Sequence, residues 1–243
     1  MTETVRTEGV VADVDRPDGD SAGLVILAHG AGSDRASLLL RTLSAALTAR
    51  GLTVARIDLP YRQQRPKGPP SPSKAAADRD GIRAAIAALR PLAPEGPLIV
   101  GGQSYGGRQA SMVAAEAPST GSGIGDRPGI GNDSRNGSGD GPAIDGLLLT
   151  SYPLHPPGKP ERLRTEHLPD VTVPTVIVHG RSDAFGTSAE IAAAAALFAG
   201  PVRVVEVDKA DHGLKPERSG VGELTADAVR HHLVDRHLTE GAP

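Results

Sequence analysis

The run Leu98-Ile99-Val100-Gly101-Gly102-Gln103-Ser104-Tyr105-Gly106 constrains this chain more than any other stretch. An apolar segment ends in a G-x-S-x-G pentapeptide, and the residues behind it, Gly106 to Glu116, read as a helix. The pattern is that of a strand turning sharply into a helix, with Ser104 presented at the apex where it can attack a carbonyl. Glycines two before and two after the serine permit the close approach of strand and helix that such a turn needs. In a chain with 30 glycines the pentapeptide alone carries little weight. Its place between strand and helix is what gives it meaning.

The rest of the chain repeats that alternation. Short β-rich runs cover Leu24 to Ala28, Leu52 to Leu59, Leu98 to Gln103, Ile144 to Thr150, Val173 to His179 and Val202 to Val207, after an N-terminal strand or hairpin from Val5 to Val14. Helical stretches lie between them, from Ala36 to Arg50, Ser73 to Leu89 and Ala189 to Phe198, and a last one runs from Gly222 to His237. Gly51 stands where a helix C-terminus favours glycine, and Thr187-Ser188-Ala189-Glu190 fits a capping box. Continuous apolar strands such as Leu24-Val25-Ile26-Leu27-Ala28 belong in a sheet covered on both faces. The expected architecture is therefore α/β, a mostly parallel central sheet with helices on both sides. A chain of 243 residues suffices for one such domain. Residues 118–142, nearly all Gly, Ser, Asp, Asn and Pro, read as a disordered insertion leaving the domain away from the site.

Composition narrows the chemistry. There is no cysteine, which removes disulfides, thiol catalysis and thiolate metal sites. A net charge of −3 gives no reason to expect a nucleic-acid or acidic-membrane partner. The N-terminus lacks the apolar core of a signal peptide, and no stretch approaches a membrane span, so a cytoplasmic protein is expected. No Walker or dinucleotide glycine motif stands in its strand–helix setting, and His231, His232 and His237 do not share one helix face. Neither a metal nor a cofactor is expected.

A serine nucleophile needs a base, and the base an orienting acid. Both follow in the order serine, acid, histidine. Asp183 lies in His179-Gly180-Arg181-Ser182-Asp183, just past a strand, and His212 in Ala210-Asp211-His212-Gly213, just past the next. Strand C-terminal ends are where open α/β sheets place their sites. Asp211, beside the histidine, is a second choice for the acid. The oxyanion of an acyl-transfer intermediate also needs two N–H donors. Tyr105, directly after the serine, supplies one candidate; Ala31, in the loop His29-Gly30-Ala31-Gly32, supplies the other. His29 reads as holding that loop.

With these residues in place, the chain resembles a small α/β-hydrolase without a cap domain. Ser151 to Pro160 and His179 to Gly186 further resemble a bacterial group of hydrolases related to dienelactone hydrolases and to the hydrolase-like domain of a eukaryotic chromatin-complex subunit. The resemblance implies the hydrolase fold and an acyl-enzyme mechanism. It departs from dienelactone hydrolases in using serine where they use cysteine, which points to esters, thioesters or related acyl transfer.

The substrate side is read from few residues. Of three tyrosines and two phenylalanines, Tyr61, Tyr105, Tyr152 and Phe185 fall at strand ends. Tyr61, Tyr152 and Phe185 are therefore expected to line an acyl or alcohol pocket. Arg108, one helical turn after Ser104, joins Arg62, Arg65, Lys67, Lys159 and Arg162 as basic residues near the site. They either favour anionic substrates or form a solvated rim with Arg108 structural. The expected partner is a small acyl substrate. A non-catalytic binding module that keeps the hydrolase fold is the alternative.

Overall fold

The computed structural model describes residues 2–116 and 143–240; the insertion expected over 118–142 lies outside the described residues. Among the described residues, eight strands form one sheet: β1 (Thr2–Thr7), β2 (Val10–Asp15), β3 (Leu24–Ala28), β4 (Thr53–Ile57), β5 (Leu98–Gln103), β6 (Gly146–Thr150), β7 (Thr175–Gly180) and β8 (Val202–Val207). Their spatial order is β1-β2-β4-β3-β5-β6-β7-β8. The β1–β2 and β2–β4 pairs are antiparallel, and every pair from β4 to β8 is parallel. Among the described residues, seven α-helices accompany the sheet: α1 (Leu38–Ala49), α2 (Pro60–Gln64), α3 (Ala75–Leu89), α4 (Tyr105–Glu116), α5 (Ser188–Ala195), α6 (Val221–Val229) and α7 (Asp235–Glu240).

The inner parallel strands β3 to β7 are buried on both faces, so alternate residues feed two separate cores. Leu24, Ile26 and Ala28 pack with Ile82 and Ile86 of α3 and Val113 of α4. Val25 and Leu27 pack with Leu40, Leu43 and Leu47 of α1 and with Val229 of α6. The capping box expected at Thr187 is present, with Glu190 completing it. The last helix differs from the expected continuous one. A π-helical turn over Arg230–Val234 separates α6 from α7. The short helix α2 was not expected at all. Among the described residues, no helix is long and apolar enough to cross a membrane.

Strand order explains where a site belongs. The chain passes from β3 to β4 on one side, then crosses to β5 on the other side of β3. At that switch point, connections leave neighbouring strands in opposite directions and open a crevice at the strand C-termini. The loop after β3 and the turn after β5 face each other there. The connection between β6 and β7 carries one 3₁₀ turn, Leu168–Asp170, in place of a cap domain. It is docked on α4, where Ser111 Oγ and His167 Nε2 lie 2.7 Å apart. Tyr152 donates its hydroxyl to the Arg164 carbonyl at 2.7 Å and fastens the same segment.

Burial first, then the charge of Arg108, push the pKa of His167 down to about 4. The unfolded chain binds a proton at this residue below about pH 6.5, whereas the folded chain resists it until about pH 4. His167 therefore removes stability as the pH falls through that window. His167→Gln is expected to give a shallower loss of unfolding free energy between pH 6.5 and 4 in urea titrations; an unchanged slope would show that the docked imidazole is not the source.

Candidate active site

The turn after β5 is built by crowding. A Cβ on Gly102 would lie 2.1 Å from the Ala28 carbonyl oxygen, and one on Gly106 would lie 2.5 Å from the His29 oxygen and 2.6 Å from that of Ala28. Only glycine lets α4 begin this close to the end of β3. Between them Ser104 takes a left-handed backbone, with φ of 49°, which costs a non-glycine residue energy and is held by its surroundings. Its N–H donates to Thr150 O of β6 at 2.8 Å, and its own carbonyl accepts from the Arg108 N–H at 2.9 Å.

The acid and the imidazole are placed by the neighbouring strand ends. Ser182 donates its N–H to Ala210 O at 2.8 Å, tying the loop after β7 to the loop after β8, and Asp183 donates to Gly180 O at 3.0 Å within its own turn. Asp183 is buried, and its oxygens lie 2.8 and 3.0 Å from His212 Nδ1. A carboxylate only accepts, so Nδ1 carries the proton. The opposite nitrogen, Nε2, is then a free acceptor and lies 2.8 Å from Ser104 Oγ. Phe185 covers the imidazole, its ring stacked with a centroid separation of 4.1 Å. Asp211 is not in this chain of bonds; it accepts from the Gly213 N–H and lies 4.0 Å from Lys215.

The loop after β3 meets Ser104 across the crevice. His29 is fully buried: Nε2 accepts the Leu59 N–H at 3.2 Å, so Nδ1 carries the proton and donates to Gly30 O at 2.8 Å. Burial lowers its pKa and keeps it neutral. Among the described residues, the N–H groups of Ala31 and Tyr105 take part in no hydrogen bond. Tyr105 is the first residue of α4, where an amide has no intrahelical acceptor.

This geometry sits in a recognisable frame. A family model described as an alpha/beta hydrolase domain matches residues 21–238. The chain belongs to the α/β-hydrolase family. Solved structures similar to this hydrolase include a dienelactone hydrolase from Anabaena variabilis, 20% identical, covering 96% of this chain and 97% of that one with a TM-score of 0.67. An α/β serine hydrolase without lid from Xanthomonas campestris is 16% identical, covering 100% and 96%, with a TM-score of 0.63. An esterase domain from a Rhodothermus marinus protein is 17% identical, covering 96% and 98%, also with a TM-score of 0.63. No curated protein matches the chain by sequence.

Two of the pocket residues expected from the sequence, Tyr61 and Tyr152, require correction. Tyr61 and Tyr152 are only 2% and 3% exposed, and their hydroxyls are used on backbone carbonyls, so neither ring offers a face to a ligand. Arg62 is equally absent from the rim of the hydrolase. It is 7% exposed, and its guanidinium donates to the carbonyls of Ser33, Ala31, Arg65 and Gly68. Arg108 lies in the first turn of α4, and its charge acts on Tyr152, Arg164 and His167 in the segment after β6. His155, without an evident partner in sequence, has Glu190 at 3.4 Å. One buried residue escaped sequence reading: Asp78 of α3, fully enclosed, binds the Tyr61 N–H and the Tyr105 hydroxyl. Its only sequence signal was an acidic residue in the first turn of a helix, which usually means solvent.

The crowding at the turn is testable. Gly106→Ala should cost about 3 kcal/mol or more, because the added methyl meets backbone atoms that cannot step aside. Gly32→Ala, where nothing lies within 4 Å, should stay within about 1 kcal/mol. Urea unfolding of both variants checks the contrast, and equal stabilities would remove the steric account.

Proposed function

We propose that this hydrolase cleaves small carboxylic esters or thioesters through an acyl-enzyme on Ser104, with His212 as base and Asp183 as its orienting acid. The single observation that carries the reading is the continuous chain of bonds from Ser104 Oγ to His212 Nε2 at 2.8 Å and from Nδ1 to Asp183 at 2.8 Å. A serine hydroxyl is a poor nucleophile until its proton is taken. Here the acceptor is in contact, in the right tautomer, and fixed by a buried carboxylate.

The reaction then runs in two halves. Ser104 Oγ attacks the acyl carbon while its proton passes to His212 Nε2, and the carbonyl oxygen becomes an oxyanion facing the Ala31 and Tyr105 amides. The carbon–oxygen or carbon–sulfur bond to the leaving group breaks, and His212 returns the proton to that group. A water molecule next gives its proton to His212 and attacks the ester on Ser104, releasing the acid and restoring the hydroxyl. The imidazolium formed in each half is stabilised by Asp183. Esterase and serine-hydrolase neighbours support the chemistry by analogy of fold. The capless connection over 151–174 supports an open site suited to small or exposed acyl groups.

Two measurements test the reading. A fluorophosphonate probe, followed by intact mass, should label the wild-type chain, fail on Ser104→Ala and label His212→Ala much more slowly. Labelling that persists in Ser104→Ala would place the nucleophile elsewhere; an inert wild type would favour the binding module. For a small ester, kcat/KM should fall about tenfold per pH unit on the acid side as the base takes its proton. A flat profile down to about pH 4 would exclude His212 as the base.

A further inference from the structure

We infer that Asp78 is a positioning residue that holds both halves of the oxyanion site in register, through Tyr61 on one side and Tyr105 on the other; the inference rests on the serine-hydrolase reading above. Asp78 belongs to α3, which carries none of the reacting groups, and it is fully buried. One carboxyl oxygen accepts the Tyr61 N–H at 3.1 Å, and the other accepts the Tyr105 hydroxyl at 2.7 Å. Among the described residues no cation pairs with it. A buried acid without a counter-ion is unfavourable for folding, and an apolar side chain of similar size would fill the space more cheaply. Its two bonds, however, lead directly to the two candidate oxyanion donors.

The first path runs through Tyr61. With its backbone anchored to Asp78, Tyr61 sends its hydroxyl to Ala31 O at 2.9 Å, with Gly30 O at 3.2 Å. His29 Nδ1 and the Ser33 N–H also draw on Gly30 O, at 2.8 and 3.1 Å. In a trans peptide the C=O and the following N–H point in opposite directions. Turning the Gly30 carbonyl toward buried Tyr61 therefore turns the Ala31 N–H away from it. That is the amide without a partner. The second path is shorter. Tyr105 bears the other unpartnered amide, and its side chain is pinned at the far end by Asp78. The two tyrosine rings meet edge to face, with centroids 5.9 Å apart at 88°.

Donors aimed at a developing charge accelerate a reaction only when they are already in place. Here the loop after β3 and the start of α4 both take their position from one carboxyl group on a third element. Removing a hydroxyl should loosen one donor while leaving Ser104, His212 and Asp183 untouched. The effect belongs in kcat, because the donors act on the oxyanion and not on the bound ester.

The experiment uses the full chain as wild type, Tyr61→Phe, Tyr105→Phe and Asp78→Asn, assayed with a small p-nitrophenyl ester and with a trifluoromethyl ketone. The ketone adds to the serine and leaves its oxygen where the oxyanion forms. Each variant is expected to lose about 10-fold or more in kcat with KM nearly unchanged, and its Ki for the ketone should rise by a similar factor. The acid side of the pH profile should not move. Adding Tyr105→Phe to Asp78→Asn should cost little more, because both cut the same path. The two phenylalanine variants lose only an oxygen atom, so they carry the test if Asp78→Asn does not fold. Wild-type kcat and Ki in both would overturn the inference, as would a fall in kcat without a matching rise in Ki. A wild type that neither turns over nor binds the ketone would instead overturn the serine-hydrolase reading itself.

Discussion

Backbone packed against backbone governs this site. Gly102 and Gly106 bring the turn after β5 against the carbonyls of Ala28 and His29 with no space for a methyl group. That contact sets the distance between Ser104 and the loop after β3, and it fixes where α4 points its first amide. Ser104 can hold its left-handed conformation because both flanking segments are locked. A second close approach does the same for the other half: a Cβ on Gly180 would lie 2.5 and 2.6 Å from the Asp211 and Ala210 carbonyl oxygens, so glycine lets the loops carrying Asp183 and His212 meet, and the Ser182 N–H on Ala210 O ties them. The side-chain chemistry is added to a frame that backbone contact has already made.

Burial then sorts the histidines by role. His29 and His179 are fully buried and His167 is half-buried, and desolvation drives their pKa values down. They serve as neutral donors and acceptors: His29 for Gly30 O, His167 for Ser111, His179 for Gly186 O. His212 differs in both surroundings and partners. Its side chain is 26% exposed, it faces a buried carboxylate, and its second nitrogen is left for the serine. One side chain chemistry thus supplies three structural pins and one group able to take and return a proton.

The main frame was legible in the sequence because it rests on periodicity. Continuous apolar runs marked strands buried on both faces, and β3, β5 and β6 fall where those runs lie. The order of Ser104, Asp183 and His212, each after a strand, brought together residues that the fold does place in contact. What failed was direction. The gathering of tyrosines at strand ends was visible, but nothing in the chain says which side of a loop a ring takes. Tyr61 and Tyr152 turn inward because irregular loops leave carbonyls that need donors. Arg62 was read as rim charge for the same reason, whereas its planar fork satisfies four such carbonyls. Helix α2 has too little repeat to show in sequence, and Asp78, which holds its start, looks like any surface acid.

The proposed mechanism turns on an ester between Ser104 and its substrate's acyl group. Mixing the chain with p-nitrophenyl acetate, quenching in acid during turnover and mapping the adduct by tandem mass spectrometry tests this directly. An acyl-enzyme on Ser104 requires one acetyl group there that disappears as substrate runs out. Acetyl on another residue, or steady product release with no adduct on a chain that is fully turning over, would contradict it.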